Sequence, residues 1–289
     1  MGRDRYVGQR EVANSGHFSL KYRNGPDKKK RDAVSERFAH YPSLADKVTF
    51  VTGGGSGIGA SIVEHFCAQR GRVAFVDIDD ASSAALCKRI EATGVPAPRF
   101  HHCDLVDVAA LQAIIRRVGD EVGPIATLVN NAANDDRHKA TEVTLDYWNE
   151  RMAVNLRHQF FAAQAVYPYM RHAGGGSIVN FGSISWMNSE GGYNAYTTAK
   201  AAVHGMTRGL ARDWGIDHIR VNTVVPGWVM TERQVKLWFD AEGERQLLEN
   251  QCLKDKLYPP DIARMVLWLA ADDSRMCTAQ NFIVDAGWS

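Results

Sequence analysis

Tyr196 and Lys200 stand four residues apart in Tyr196-Thr197-Thr198-Ala199-Lys200, a spacing that puts both on one face of a helix. A phenol titrates near 10 in water, too high for a base at neutral pH. An ammonium beside it, helped by any further positive charge, favours the phenolate and lowers that value. Ser183 lies thirteen residues upstream, where its hydroxyl would hold a reacting oxygen while the proton leaves. Read singly, these residues are an exposed helical pair and a turn serine. Read together, they describe proton removal from an alcohol.

A second constellation binds rather than reacts. The apolar run Val48–Thr52 enters Gly53-Gly54-Gly55-Ser56-Gly57-Ile58-Gly59, and an amphipathic stretch follows. Glycines between a strand and a helix let the chain turn tightly and let a pyrophosphate approach the helix N–H groups. Asp77, twenty-four residues after Gly53, ends the next apolar run. A carboxylate there accepts both hydroxyls of an adenosine ribose and repels a 2′-phosphate. Ile78 follows it, with no arginine to welcome that phosphate, so the expected cofactor is NAD. Taken alone, Asp77 reads equally as a loop-facing carboxylate.

The elements that would position these groups alternate. Short runs rich in Val, Ile or Phe occur at Val48–Thr52, Val73–Asp77, Arg99–Cys103, Thr127–Asn130, Ser177–Phe181, Arg220–Val225 and Asn281–Asp285. Between them lie helical patterns such as Gly57–Arg70, Asp107–Val122, Leu145–His172, Tyr196–Trp214 and Pro260–Ala271. Repeated strand–helix–strand units imply right-handed crossovers and an α/β, single-domain Rossmann fold, a doubly wound parallel sheet of about seven strands flanked by helices. Ser183 follows the fifth run, at the strand end where such sheets bind ligands.

Composition narrows the rest. The chain has 289 residues, 45% hydrophobic and 23% charged, with Lys+Arg 34 and Asp+Glu 33. This is ordinary for a globular protein and long enough for a substantial core. Residues 1–38 hold ten Lys/Arg and five Asp/Glu, and read as a basic, disordered N-terminal extension; residues 39–289 read as one Rossmann-type domain, mildly acidic. An acidic body leaves no electrostatic footprint for nucleic acid. No window approaches eighteen consecutive apolar residues, so no membrane partner is expected. Residues 1–10 lack the apolar stretch of a secretory signal, and the five cysteines are single and odd in number, which fits a reducing cytoplasm. No metal is expected, since His101-His102 lacks carboxylate or cysteine partners at ligand spacing.

From about Pro42 to Ser289 the chain resembles the short-chain dehydrogenase/reductase family. Thr52 to Gly59 is similar to the family's cofactor loop, so the resemblance implies that Gly53, Ser56, Gly57, Ile58 and Gly59 bind the dinucleotide. It implies the same for Asp104 and Leu105 after the third strand, and for Asn131 in Asn130-Asn131-Ala132-Ala133, where Ala133 replaces the usual glycine. Asn155, Ser183, Tyr196 and Lys200 fall on the catalytic positions, with Asn155 holding a water that links the lysine to solvent. Tyr196 and Lys200 also contact the cofactor, and Pro226, Gly227, Val229 and Thr231 match the segment around nicotinamide and diphosphate. Family members are commonly tetramers, so a homotetramer is expected.

A narrower resemblance is carried by 134–139, 154–158, 180–186, 251–254 and 285–288. These segments are similar to those of the family's bacterial NAD-dependent pentose dehydrogenases. That implies hydride transfer from the anomeric carbon of D-xylose to NAD, giving a lactone and NADH. Other aldoses (L-arabinose, D-galactose), a non-sugar secondary alcohol, or a non-catalytic dinucleotide sensor are the rival readings. A polyhydroxylated ring needs directed hydrogen bonds and an apolar face to rest on. Asn134, Ser183, Ser185, Trp186, Tyr196, Trp228 and Gln234 are the candidates for that small-molecule sugar. Trp186 reads equally as core, and Asp136, Arg137 and His138 as structural ion pairs.

Overall fold

The structure, a computed structural model, describes residues 38–289; the basic extension therefore falls, but for its last residue, outside the described residues. The strands are β1 Val48–Thr52, β2 Arg72–Asp77, β3 Arg99–His102, β4 Ile125–Asn130, β5 Gly176–Phe181, β6 Ile219–Pro226 and β7 Asn281–Val284. They form one parallel sheet in the order β3-β2-β1-β4-β5-β6-β7. The order reverses between β1 and β4, whose registers pair Thr52 with Asn130. A crevice opens at such a switch point, outside the carboxyl ends of the strands.

Both faces of the sheet are covered, which is why the inner strands read as nearly unbroken apolar runs. Successive residues of β1 enter opposite cores. Val51 packs with Ile62, Val63 and Phe66 of α1 (Gly57–Ala68) and with Leu267 of α9 (Pro259–Ala270). Phe50 packs on the other face with Leu111 and Ile115 of α3 (Val108–Glu121), Met170 of α5 (His158–His172) and Leu210 of α6 (Asn194–Trp214). The edge strands β3 and β7 have no fully buried residue, and their apolar signal is correspondingly weak.

The remaining helices are α2 (Asp80–Glu91), α4 (Leu145–Met152), α7 (Glu232–Leu237) and α8 (Ala241–Asn250). The single helix expected over Leu145–His172 is not continuous: Ala153–Arg157 is a π-helical segment between α4 and α5. The π turn widens the helix at Asn155, and such bulges recur at functional sites.

A buried polar ladder fixes α6 to the sheet. Asn130 Nδ2 donates to Asn180 Oδ1 at 2.9 Å, and Asn180 Nδ2 donates to Thr207 Oγ1 at 3.0 Å. Thr207 Oγ1 in turn hydrogen-bonds Thr223 Oγ1 at 2.8 Å. The ladder joins β4, β5 and β6 to the helix that carries Lys200, seven residues before Thr207 on the same face. Asn180→Ala would remove one of the two acceptors of Asn130 Nδ2, which keeps the Gln159 carbonyl at 3.1 Å, and the donor to Thr207, which keeps Thr223. The expected cost is about 0.5–1.5 kcal/mol per lost hydrogen bond, read as a lower urea midpoint at unchanged slope.

Candidate active site

The end of β5 and the start of α6 converge on one point. Lys200, wholly buried, donates from Nζ to the Phe181 carbonyl at 2.8 Å, and Nζ sits 5.5 Å from the centre of the Tyr196 ring. Ser183, two residues beyond Phe181, is half-buried, and its Oγ accepts the Ser185 N–H at 3.2 Å. The Ser183 hydroxyl also hydrogen-bonds the Tyr196 phenol and pulls its pKa down. Tyr196 is itself half-buried and stacks on Tyr193, with centroids 5.4 Å apart at 24°.

Burial is the largest influence on the Tyr196 phenol and raises its pKa above the ordinary value. Ser183 and Arg137 oppose that rise, whereas Asp135 and Tyr193 add to it. Burial also drives Lys200 down to about 7, against the pull of Asp135 upward. His158 lies next to that lysine in the chain fold, fully buried; burial first, then Lys200, pushes its pKa down to about 3, so it stays neutral.

Asn155 is buried in the π segment, with both ends of its amide committed. Its Oδ1 accepts the Asn134 N–H at 2.8 Å, and its Nδ2 donates to the Asn134 carbonyl at 3.0 Å and to the Arg151 carbonyl at 2.9 Å. It thereby clamps the loop after β4. Asn131 does the same from the other side, donating from Nδ2 to the carbonyls of Thr52 at 3.1 Å and Gly53 at 2.9 Å.

The glycine loop fits a dinucleotide. Gly53 has φ +65, which favours glycine, and a Cβ on Gly59 would lie 1.8 Å from the Gly53 carbonyl oxygen. Ser56 caps α1 without spending its side chain on a capping bond, which leaves the hydroxyl and the first helix N–H groups facing the loop. Ile58 packs against the first core. Asp77 Oδ2 accepts the Gly55 N–H at 2.8 Å and Oδ1 the Asp79 N–H at 3.0 Å, so the carboxylate is oriented at the tip of β2. Asp104 is exposed and caps its own turn through the Val106 N–H at 2.9 Å, while the Leu105 side chain is in the second core. Pro226 ends β6, Gly227 donates to Val284 O at 2.9 Å, and Val229 is buried. Thr231 caps α7 through the Gln234 N–H at 3.2 Å and faces Gly57 across the loop.

The substrate candidates divide. Asn134 uses its Oδ1 on the Asp136 N–H at 2.9 Å, within its own loop. Ser185 is buried and its Oγ has no partner. Trp186 is 39% exposed, so it is not core; its Nε1 donates to His204 Nε2 at 3.2 Å. Trp228 Nε1 donates to Gln234 Oε1 at 3.0 Å, and Gln234 Nε2 donates to Asp135 Oδ2 at 2.8 Å. Asp136 does form ion pairs, with Arg233 at 2.6 Å and Arg151 at 3.4 Å. Arg137 instead stacks 3.7 Å over the Tyr193 ring, and His138 Nδ1 lies 2.9 Å from the Tyr147 hydroxyl. Asp135, beside the catalytic pair, was quoted in sequence only as part of a polar run; nothing in spacing distinguishes it from Asp136. Among the described residues no group of three His, Cys, Asp or Glu side chains is placed to hold a metal, and no helix is long and apolar enough to cross a membrane.

A family model described as enoyl-(acyl carrier protein) reductase matches residues 53–289. The chain belongs to the short-chain dehydrogenase/reductase family. It is similar to D-xylose 1-dehydrogenase of Caulobacter vibrioides, 48% identical over 250 residues, 86% of this chain and 98% of that one. A probable galactose dehydrogenase of Rhizobium meliloti is 47% identical over 249 residues, 86% of this chain and 97% of its own. Among solved structures, a blue fluorescent protein from a metagenomic library in complex with NADPH superposes with a TM-score of 0.78 at 34% identity, covering 86% of this chain and 99% of that one. The chain is thus a nicotinamide-dependent oxidoreductase.

The buried lysine makes stability depend on pH. Its folded pKa lies below the unfolded one of about 10.4, so the unfolded chain binds more protons between roughly pH 7 and 10 and stability rises with pH there. Lys200→Met removes this penalty. Its thermal midpoint should gain most on wild type at or below pH 7, and the gain should fade towards pH 10.

Proposed function

We propose that the chain oxidises the anomeric carbon of ring-form D-xylose with NAD as cofactor. The observation that carries this reading is the convergence of Ser183, Tyr196 and Lys200 beside polar and indole groups, in a chain similar over 86% of its length to a D-xylose 1-dehydrogenase and a probable galactose dehydrogenase. Ser183 holds the anomeric oxygen, and Tyr196 as phenolate takes its proton. Lys200, anchored on Phe181, steadies the phenolate and reaches the nicotinamide ribose. When bound, the oxidised nicotinamide supplies the hydride acceptor and a positive charge beside the phenol. The sugar leaves as a lactone.

Gly53, Ser56, Gly57, Ile58 and Gly59 would hold the pyrophosphate, and Asp77 the adenosine ribose. Asp104, Leu105 and Asn131 would line the adenine side, Pro226, Gly227, Val229 and Thr231 the nicotinamide side. Asp77 supports NAD over NADP, because its charge and the exposed Ile78 after it leave a 2′-phosphate unpaired and repelled. A homotetramer in the cytoplasm belongs to the same reading.

Purified protein given NAD and a panel of D-xylose, L-arabinose, D-galactose and simple secondary alcohols should form NADH fastest with D-xylose; silence with every aldose refutes the substrate class. Tyr196→Phe should lower turnover at least about 10³-fold while leaving NADH binding, followed by fluorescence titration, within a few-fold. Asp77→Ala should narrow the NAD to NADP ratio of kcat/KM by at least about tenfold, and an unchanged ratio refutes the ribose contact.

A further inference from the structure

Two aspartates sit side by side at the rim of the crevice, and their surroundings differ. Asp136 is spent on guanidinium groups: Oδ1 takes Arg233 at 2.6 Å, Oδ2 takes Arg151 at 3.4 Å, and the side chain is 49% exposed. Asp135 is only 18% exposed. Its Oδ2 accepts one hydrogen bond, from Gln234 Nε2 at 2.8 Å, and its Oδ1 lies 3.5 Å from Arg233 Nε, beyond good hydrogen-bond length. A carboxylate offers about four acceptor positions. Most of those on Asp135 are unspent, on a largely covered group. Such a group is costly to leave without donors.

Its position is also fixed. Asn134, the residue before it, is clamped through both backbone polar groups by Asn155. Gln234 is clamped in turn by the Trp228 indole N–H, and α7 is pinned by the Arg233–Asp136 pair. The Asp135 charge acts on both Tyr196 and Lys200 and raises the pKa of each. The other end of the Gln234 amide takes the Trp228 indole N–H, and that ring meets Phe239 edge-on at 5.4 Å and Trp288 at 6.5 Å, an aromatic wall. An acceptor-only corner beside an apolar wall matches a sugar ring, which points hydroxyl donors outward from its edge and C–H groups from its face.

We propose that Asp135 is a specificity-determining residue that accepts a ring hydroxyl of the aldose away from the anomeric carbon, with Gln234 holding the carboxylate in place. The inference rests on the aldose reading above and deepens it. Removing the charge also changes the electrostatics at Lys200, but that change falls equally on every sugar. The informative quantity is therefore the ratio between sugars with and without the hydroxyl being read.

The experiment compares wild type, Asp135→Asn and Asp135→Ala on D-xylose and its 2-deoxy, 3-deoxy and 4-deoxy forms, with NADH binding checked by fluorescence titration. Wild type should prefer D-xylose over one deoxy sugar by about 10²-fold or more in kcat/KM, the size expected where a site is built around a hydroxyl. In Asp135→Ala that preference should collapse to within about threefold, with most of the change in KM, and Asp135→Asn should fall between. Equal losses on all four sugars, or wild type that treats every deoxy sugar like D-xylose, would overturn the assignment while leaving the aldose reading intact. Wild type inactive on every aldose would overturn both. If Asp135→Ala fails to bind NADH, the isosteric Asp135→Asn and the wild-type deoxy series decide between these outcomes.

Discussion

The site depends on one buried ammonium. Lys200 has left water for a place beneath the reacting phenol, with the Phe181 carbonyl at 2.8 Å as its hydrogen-bonding partner. Burial makes the charged form expensive, and its pKa falls to about 7. The fold spends stability to keep the amine there, a trade common where function needs a strained or desolvated group. What tolerates the cost is the rigidity below it: the Asn130–Asn180–Thr207–Thr223 ladder locks α6 to three strands, so the amine has no route back to solvent.

The same helix presents Tyr196, but burial alone would leave that phenol protonated. The chain therefore sets Tyr196 beside Ser183 and Lys200 without supplying, from its own groups, enough positive charge to offset that burial. The cradle for the nucleotide forms at the reversal of strand order, where the ends of β1 and β4 lie side by side. Asn131 ties these ends together on one side, and Asn155 fixes the following loop on the other. The π segment matters here because it turns the Asn155 amide onto the Asn134 backbone.

Beyond the reacting groups, the crevice is divided between a polar corner and an aromatic wall. Asp135, Gln234 and the ion-paired Asp136 and Arg233 belong to the corner, while Trp228, Phe239 and Trp288 make the wall. Arg137 joins the two regions, since it lies 3.7 Å over Tyr193, which itself stacks on Tyr196, and 5.3 Å from the Trp238 ring. Changes at the rim thus reach the reacting phenol through packed rings and through charge.

Local pattern was enough for the sheet, the glycine loop and the Tyr196–Lys200 pair, because each depends on short-range periodicity or on glycine at a tight approach. Residues such as Val51 and Phe50 announce a two-sided core by being apolar in succession, and Gly59 announces a crossing by its type. The π turn at Asn155 escaped, since it leaves no periodic signature of its own. Tertiary structure alone decided the protonation balance, because the shifts at Tyr196 and Lys200 come from desolvation by neighbours far away in the chain. It alone also separated Asp135 from Asp136: adjacent and chemically identical, they differ in that Arg233 binds Asp136 at 2.6 Å but stays 3.5 Å from Asp135, which is the more covered of the two and takes Gln234 instead.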